Sequence, residues 1–263
     1  MPEPAATRRA RPGGPAGTER EWEIRWFPSI DSTNRYLLDM ARAGDPDGVV
    51  VVADHQTAGR GRLGRTWEAA PGSALLASVL LRPGVGPARL GLVTMAAGVA
   101  LADAVWAVAG VTARLKWPND LVVDDRKLAG LLAEAELGHG LVRAVVVGLG
   151  CNLAPAAIPP DLVDVATACE IEAARPVDRD ALLDAFLDAF AARLDDLAAV
   201  PAAYRERSAT LGRRVRVDLG GGRVVEGVAV AVGDTGTLVV RDDDGEELTV
   251  SVGDVVHLRL AAG

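Results

Sequence analysis

The feature that most constrains this chain is a loop dense in glycine and arginine, HQTAGRGRLGRTW at residues 55–67. It lies between two short apolar runs, residues 48–56 and 73–81, whose composition predicts buried strands. The glycine spacing spells the dinucleotide pattern G-x-G-x-x-G and comes close to a phosphate-binding loop, but both motifs need a helix directly afterwards. Because a strand is predicted there instead, we assign neither motif.

The chemistry of this loop favours an anionic ligand. Glycines let a ligand approach the backbone closely, and arginines supply permanent positive charge that suits a carboxylate beside a phosphate. An exposed basic turn, able to touch nucleic acid, is the simpler alternative. However, the whole chain has 28 Lys and Arg against 36 Asp and Glu, a net charge of −8, which is unusual for a general nucleic-acid binder. The residues concerned are Gly59, Gly61 and Gly64, with Arg60, Arg62 and Arg65.

A second motif, KWPND, occupies residues 116–120. Pro118 fixes a turn after a predicted strand, and a carboxylate on such a turn, here Asp120, can hold Mg²⁺ beside nucleotide phosphates. Asn119 and Lys116 can reach a phosphate or a base. Taken alone, the motif fits an ordinary turn with Asx hydrogen bonding better.

A third motif, RKLAG at residues 126–130, places a lysine at the start of an apolar strand. If Lys127 enters an apolar environment, it needs an anionic partner. Gly130 would let a ligand lie along the strand. The alternative is a lysine at a hairpin end in water, which is the usual case.

Two further segments combine glycine or small polar residues with regular structure. In VVVGLGCNL (145–153), Gly148 and Gly150 interrupt a buried strand and Asn152 follows it, which suggests close backbone approach or else a strand that ends in a bulge. In IDSTN (30–34), small polar groups at a helix start could bind an amide-like head or could simply cap the helix.

The remaining pattern defines the domain organisation. Residues 1–20 are rich in Pro, Gly, Ala and Arg and predict a disordered tail. Residues 21–210 predict an α/β domain: a capped helix that ends at Gly44, a buried helix at 88–109, a hairpin at Asp124 and Asp125, a strand at 141–153 and an amphipathic helix at 181–197. Residues 211–263 contain five short alternating runs and predict a small β-barrel.

Apolar runs and cysteine usage indicate the cellular compartment in which the protein is expected to function. No apolar run approaches the ~18–20 residues of a membrane span, and the N-terminus has no apolar signal-peptide core. The two cysteines, Cys151 and Cys169, lack the spacing of a metal site or a disulfide framework. We therefore expect a cytoplasmic protein without membrane attachment.

Taken together and in order, the segments DSTN, HQTAGRGRLGRTW, KWPNDLVV, RKLAGLLAE and GLGCNL resemble the biotin–protein ligase family. The resemblance covers about residues 24–259. It implies a mixed-sheet α/β (α+β) catalytic domain of the biotin/lipoate ligase type, related to class II synthetases, followed by an SH3-like β-barrel. It also indicates the short, non-repressor class of these ligases, because residues 1–20 leave no room for an N-terminal DNA-binding domain. Leu63 and Cys151 depart from the family pattern, and residues 154–168 match its adenylate-covering loop only loosely.

The resemblance also implies roles for individual residues. Lys127 and Arg62 would be catalytic, with Lys127 bridging the biotin carboxylate and the α-phosphate of ATP, and Asp120 would be the magnesium-linked position. The residues implied to bind biotin are Ser32, Thr33, Asn34, Gln56, Gly59, Arg60, Gly61, Arg62, Lys127 and Gly130. Those implied to bind ATP are Arg65, Lys116, Asn119 and Asn152.

The implied function is ATP-dependent formation of biotinyl-5′-AMP and transfer of biotin to one lysine of a biotin carboxyl carrier protein or domain. Mg²⁺ is the implied cofactor, biotin and ATP are the substrates, and a homodimer is possible. DNA is not an expected partner. Three alternatives are disfavoured. The GRGRLGR loop and KWPND argue against a lipoate–protein ligase, the lack of an N-terminal DNA-binding module argues against a biotin-sensing transcriptional regulator, and the presence of Lys127 and Arg62 argues against a non-catalytic module that binds an adenylate. Label transfer to a carrier domain, with lipoate and octanoate as controls, separates them.

Overall fold

The computed structural model describes residues 2–10, 20–82, 84, 86–138, 141–251 and 254–257. These residues form two β-sheets and five α-helices. The larger sheet has the strand order β1-β2-β3-β4-β8-β7-β6-β5. Its strands are β1 (Ala6–Ala10), β2 (Trp22–Phe27), β3 (Val49–Ala53), β4 (Ala74–Leu81), β5 (Arg114–Lys116), β6 (Asp120–Val123), β7 (Arg126–Gly138) and β8 (Leu141–Asn152).

The larger sheet is mixed, as the family resemblance implied. Only β2 and β3 run parallel, and the other neighbouring strands of this sheet are antiparallel. The predicted hairpin joins β6 to β7 at Asp124 and Asp125, which both have positive φ angles, 47° and 64°. Acidic residues tolerate this left-handed conformation better than β-branched ones do, so the turn can be tight.

Helices cover both faces of the larger sheet. They are α1 (Thr33–Ala43), α2 (Leu90–Ala109), α3 (Cys169–Ala173), α4 (Arg179–Asp195) and α5 (Val200–Glu206). Helix α1 packs on one face against β3, β4, β7 and β8, and α2 with α4 covers the other. Strand β3 shows the alternation: Val50 and Val52 face α2, whereas Val49 and Val51 join the core under α1.

The capping of α1 agrees with the sequence pattern. Ser32 is the N-cap, and its hydroxyl accepts a hydrogen bond from the Arg35 backbone N–H at 3.4 Å. Gly44 ends the helix with a φ of 96°, a left-handed conformation that glycine adopts without steric cost. The start of α1 is therefore fixed, and with it the small polar residues of the IDSTN segment.

Helix α2 confirms the buried helix predicted at 88–109 but corrects the expectation that no apolar run approaches the length of a membrane span. Its 20 residues are long and apolar enough to cross a membrane by length and composition, and its most apolar 18-residue window has a mean hydropathy of 1.9. In the folded chain, however, 72% of its most apolar window is buried. It is a core helix, and its hydrophobicity reflects burial between the sheet and α4.

A second, five-stranded antiparallel sheet forms the C-terminal part of the described chain, in the order β12-β11-β10-β9-β13. Its strands are β9 (Arg214–Gly220), β10 (Arg223–Val232), β11 (Leu238–Arg241), β12 (Glu247–Val250) and β13 (Asp254–His257). The five predicted strands are confirmed, and the SH3-like assignment stays a prediction. The Trp117 indole donates to the Gly236 carbonyl at 2.8 Å, which joins this sheet to the β5–β6 connection of the larger sheet.

The predicted disorder of residues 1–20 is wrong for residues 6–10. There, β1 pairs antiparallel with β2, from Ala6 opposite Trp26 to Ala10 opposite Trp22. The Arg8 guanidinium forms an ion pair with Asp184 of α4 and lies 5.2 Å from the centre of the Trp26 ring. Residues 1 and 11–19 of the predicted tail lie outside the described residues.

The contacts of β1 yield a first prediction. Arg8→Ala should lower the free energy of unfolding by about 0.5–1 kcal/mol, because a partly exposed ion pair and a cation–π contact are lost. Arg9→Ala is the matched control, since the Arg9 side chain is 78% exposed and lies 4.0 Å from Glu23. Denaturant unfolding of both variants measures the difference. Equal stability of Arg8→Ala and Arg9→Ala would show that β1 adds nothing through Arg8.

Candidate active site

The candidate site lies on the face of β8 that α1 covers. Val145, Val147, Leu149 and Cys151 point into the α2 core, and Gly148 and Gly150 fall on the opposite face. A Cβ added to Gly148 would lie 2.1 Å from Asn34 Oδ1, and one added to Gly150 would lie 2.4 Å from the Trp67 ring. The predicted close approach is thus made by two of the protein's own side chains, Asn34 and Trp67.

A cleft of about 720 Å³, open solvent included, is formed above these glycines by residues from α1, the glycine-arginine loop, the β6–β7 hairpin and β8. Twelve of the fifteen residues implied to bind biotin, ATP or magnesium line it. They are Ser32, Thr33, Asn34, Gln56, Arg60, Gly61, Arg62, Arg65, Asn119, Asp120, Lys127 and Gly130.

One end of the cleft is a dense network of neutral polar groups. The Thr33 backbone N–H and hydroxyl donate to Gln56 Oε1 at 2.8 and 3.0 Å. Ser78, fully buried in β4, places its hydroxyl 2.7 Å from Thr33 Oγ1 and 2.6 Å from Asn34 Oδ1. Because Gln56 Oε1 is held by Thr33, the Gln56 amide NH₂ is available to the cleft. This end can therefore donate to and accept from an amide-like group.

The glycine-arginine loop folds as a tight turn rather than leading into a long helix, which agrees with the rejection of the phosphate-loop motifs. The Gly61 N–H donates to the Arg65 carbonyl at 2.7 Å, and Leu63 at the turn has a φ of 55°. Gly59 does not line the cleft. A Cβ there would lie 2.3 Å from the Trp67 carbonyl oxygen, so Gly59 permits the loop to close on itself.

The cationic side chains of the loop have internal partners. Arg60 Nη2 lies 2.8 Å from Glu134 Oε1, and Arg62 Nη1 donates to Asn119 Oδ1 at 3.2 Å. Asn119 in turn donates to the Leu131 carbonyl at 2.6 Å. The loop is thereby attached to β7 and to the KWPND turn, both of which line the same cleft.

Lys127 does not behave as a hairpin-end lysine in water. Its Nζ lies 2.8 Å from Asp120 Oδ1, in an ion pair across the β6–β7 hairpin, and 5.5 Å from the centre of the Trp67 ring. A Cβ on Gly130 would lie 3.1 Å from the same ammonium group, so the glycine makes room for it. The predicted need for an anionic partner is met by Asp120.

A second cleft continues beyond Lys127. It is lined by Lys116 and Asn152, the two remaining candidates for nucleotide contact, and shares Arg65, Asp120 and Lys127 with the first. The Asn152 amide donates to the Thr167 carbonyl at 2.9 Å. Lys127 and Asp120 therefore stand at the junction of a polar, amide-binding cleft and a more open one.

A buried phenol lies behind this junction. Burial raises the pKa of Tyr204 well above its ordinary value, and the negative charge of Asp120 adds to the effect. Tyr204 is therefore neutral across the physiological range and packs as a core residue of α5.

Sequence reasoning missed three residues of the site: Trp67, Ser78 and Glu134. Trp67 ends the GRGRLGRTW motif itself, and a large aromatic beside a glycine-rich loop was the available signal. Ser78 is a polar residue in the otherwise apolar run of β4, and a buried polar residue there was expected to have a hydrogen-bond partner. Glu134 alternates with alanine in LLAEAE and carried no comparable signal.

Comparisons with known proteins identify the class to which this fold and site belong, the biotin/lipoate protein ligases. Residues 26–152 match the Biotin/lipoate A/B protein ligase family, and residues 210–258 match the Biotin protein ligase C terminal domain. The chain is 41% identical over 239 residues to the biotin--[acetyl-CoA-carboxylase] ligase of Mycobacterium tuberculosis, covering 87% of this chain and 86% of the relative.

A second relative, the biotin--[acetyl-CoA-carboxylase] ligase of Paracoccus denitrificans, is 34% identical and covers 83% of this chain and 94% of its own length. Among solved structures, the biotin protein ligase from Aquifex aeolicus in complex with biotin and ATP superposes with a TM-score of 0.76 at 27% identity, over 89% of this chain and 99% of that one. The chain belongs to the biotin–protein ligase family.

The packing of Trp67 on β8 gives a second prediction. Gly150→Ala should displace the Trp67 ring and lower the free energy of unfolding by about 1–3 kcal/mol, the usual cost of overpacking. Gly86→Ala is the control, because a Cβ there would meet no atom within 4 Å. Denaturant unfolding and a crystal structure of each variant test this. An unmoved Trp67 in Gly150→Ala would contradict the packing argument.

Proposed function

We infer that the chain forms biotinyl-5′-AMP from biotin and ATP and transfers the biotin to a lysine of a carrier protein. The observation that carries this inference is Lys127, a half-exposed ammonium at the junction of two clefts, one suited to an amide-like head and one open enough for a nucleotide. The names of the relatives support the same chemistry.

For biotin, we propose that the neutral polar end of the first cleft binds the ureido ring. Ser32, Thr33, Asn34 and Gln56 supply small donors and acceptors there. The valeryl chain would then run past Gly130 toward Lys127, since a side chain at Gly130 would occupy that path. Arg60, Gly61 and Arg62 would close over the bound acid, and Gly59 would let the loop fold back on itself to do so.

For ATP, we propose that the second cleft receives the nucleotide. Arg65 and Lys116 supply positive charge for phosphates, while Asn119 and Asn152 supply amides. The donor set fits Mg²⁺ in the way that nucleotide enzymes usually hold it, through one carboxylate together with substrate phosphates. Asp120 would hold the ion, which would neutralise phosphate charge when bound.

In the adenylation step, a biotin carboxylate oxygen attacks the α-phosphorus, and the bond from that phosphorus to the pyrophosphate oxygen breaks. Two anionic groups must meet, and their repulsion is large in a poorly hydrated cleft. Lys127 and Arg62 are the catalytic residues of this proposal, because both line the cleft and their positive charges would face the carboxylate and the α-phosphate oxygens. Lys127 would exchange Asp120 for these partners, leaving the Asp120 carboxylate for the metal.

In the transfer step, an uncharged carrier lysine attacks the acyl carbon of the adenylate, an amide bond forms, and AMP leaves. No protein nucleophile is required. We propose that the carrier is the biotin carboxyl carrier protein or domain of an acyl-CoA or pyruvate carboxylase. We further propose residues 21–210 as the catalytic domain and 211–263 as a separate C-terminal domain.

Cellular context is part of the proposal. Cys151 and Cys169 are both free and buried, with their sulfur atoms 3.9 Å apart. Two neighbouring reduced thiols fit a reducing compartment, so we propose a cytoplasmic enzyme. A homodimer is proposed as well, and DNA is not a proposed partner.

The activity itself is the third prediction. Purified protein with biotin and MgATP should produce pyrophosphate and biotinyl-adenylate and should label one lysine of a carrier domain. Mass spectrometry of the carrier measures the product, with lipoate and octanoate as competing acids. Equal or better transfer of lipoate would favour a lipoate–protein ligase instead. Biotin binding without pyrophosphate release would favour a non-catalytic or sensory module.

Lys127 provides the fourth prediction. Lys127→Ala should slow adenylation by roughly 10²–10³, the scale of losing one oxyanion-type donor. Biotin affinity should fall less, because the contacts of the polar end remain. Lys127→Arg should rescue only partly, since a planar fork does not replace a compact charge. Single-turnover adenylation and equilibrium biotin binding separate the two effects.

The control for this experiment is the neighbouring Arg126→Ala. The Arg126 side chain pairs with Glu172 at 2.7 Å and does not line either cleft. It should keep a near wild-type adenylation rate. A wild-type rate in Lys127→Ala would remove this lysine from the mechanism.

A further inference from the structure

Glu134 connects two parts of the candidate site that are far apart in sequence. It lies on β7, and its side chain is 21% exposed. One carboxylate oxygen, Oε2, accepts from Asn34 Nδ2 at 2.9 Å, and the other, Oε1, lies 2.8 Å from Arg60 Nη2. A single carboxylate therefore binds the start of α1 and the glycine-arginine loop together.

The contact with Asn34 determines which way its amide points. An ionised carboxylate can only accept hydrogen bonds, so Asn34 must turn its NH₂ toward Glu134. The same NH₂ also donates to the Leu132 carbonyl at 3.1 Å. Asn34 Oδ1 then faces the Ser78 hydroxyl at 2.6 Å. Without the carboxylate, a flipped amide would present a donor to Ser78 instead of an acceptor.

That orientation propagates along the polar end of the cleft. Ser78 has a single proton, and it is shared between two acceptors, Asn34 Oδ1 at 2.6 Å and Thr33 Oγ1 at 2.7 Å, because the Thr33 hydroxyl donates its own proton to Gln56 Oε1. Thr33 in turn holds Gln56 Oε1, which leaves the Gln56 NH₂ for a ligand. The donor–acceptor pattern that a ligand meets thus depends on a carboxylate that need not touch the ligand.

The contact with Arg60 gives Glu134 a second effect. Arg60 lies at the base of the turn that carries Arg62, and its backbone pairs with Thr66 across the loop. The ion pair neutralises the carboxylate, so an anionic acid entering the cleft is not repelled by Glu134. It also tethers the loop to β7 before any ligand is present.

We propose that Glu134 is a positioning residue that fixes the hydrogen-bond polarity of the polar end and tethers the glycine-arginine loop through Arg60. This proposal rests on the proposed function for the identity of the ligand, an acid with an amide-like head. It makes Glu134 a determinant of biotin affinity rather than of the chemical step.

Glu134→Gln is the direct test, because it keeps size and shape while it removes the charge and introduces an NH₂ donor. That donor must face either the Asn34 amide or the Arg60 guanidinium. We expect the KM and the Kd for biotin to rise about tenfold, the scale of one unpaired buried polar group. The kcat at saturating biotin and the KM for ATP should stay within about twofold.

The chain offers a matched control two residues along the same strand. Glu136 also pairs with an arginine, Arg42 of α1, at 3.2 Å, and does not line the cleft. Glu136→Gln should leave every constant unchanged. If Glu134→Gln and Glu136→Gln lower thermal stability alike and neither changes biotin binding, Glu134 is merely structural and the proposal is wrong.

A double-mutant cycle tests the route through Ser78. Ser78→Ala should raise the KM for biotin in the same way as Glu134→Gln. The double variant should lose little more than either single variant, because both changes break one chain of hydrogen bonds. Fully additive losses would overturn the proposed route from Glu134 to the ligand.

The tether is tested in the ligand-free protein, independently of biotin. Trypsin should cleave after the loop arginines several-fold faster in Glu134→Gln than in the wild type or in Glu136→Gln. Unchanged cleavage would overturn the tether. Failure of the wild type to bind biotin would instead overturn the proposed function, so the two failures are distinguishable.

Discussion

The site depends on two glycines of β8, because a side chain at either position would not fit. Gly148 and Gly150 lie in the middle of a buried strand, where glycine weakens a sheet, yet any Cβ there would collide with Asn34 or Trp67. These two side chains therefore lie directly on the sheet. Trp67 brings the end of the glycine-arginine loop with it, and Asn34 brings the start of α1. The two glycines of β8 therefore determine where α1 and the glycine-arginine loop, which form the walls of the cleft, can lie.

Charge in this site is arranged as internal pairs rather than as an open cationic surface. Lys127 pairs with Asp120, Arg60 with Glu134, and Arg62 donates to Asn119. A ligand that binds Lys127 or Arg62 must replace Asp120 or Asn119, so a single negative charge gains little by entering. An acid and a nucleotide phosphate together offer replacement partners for more than one cation. Internal pairing thus favours the two-substrate complex over adventitious binding of either anion, and it limits the cost of burying the charges in the ligand-free chain.

The parts of this structure that were predictable from sequence are those that local pattern determines. Caps and apolar periodicity predicted α1, and the five C-terminal strands follow alternation. For Lys127 the pattern offered both an anionic partner and a hairpin-end lysine in water, and only the fold shows its pair with Asp120. What failed depends on partners distant in the chain. Strand β1 carries no apolar periodicity, and its Arg8 contact with Asp184 spans 176 positions. The bond from Asn34 to Glu134 spans 100, so no short-range pattern could indicate it.

The hairpin that carries Lys127 is held from both sides, which gives the C-terminal domain a part in the geometry of the site. Arg213, just before β9, forms a bidentate ion pair with Asp125 at 2.5 and 2.9 Å, and Asp125 is the left-handed residue two positions before Lys127. Two parallel N–H···O bonds fix direction as well as distance. The Trp117 indole adds a second attachment, to Gly236. Any rotation of the C-terminal sheet must therefore break these bonds or move the hairpin, and the position of the Lys127 ammonium is coupled to that of a domain which does not contain it.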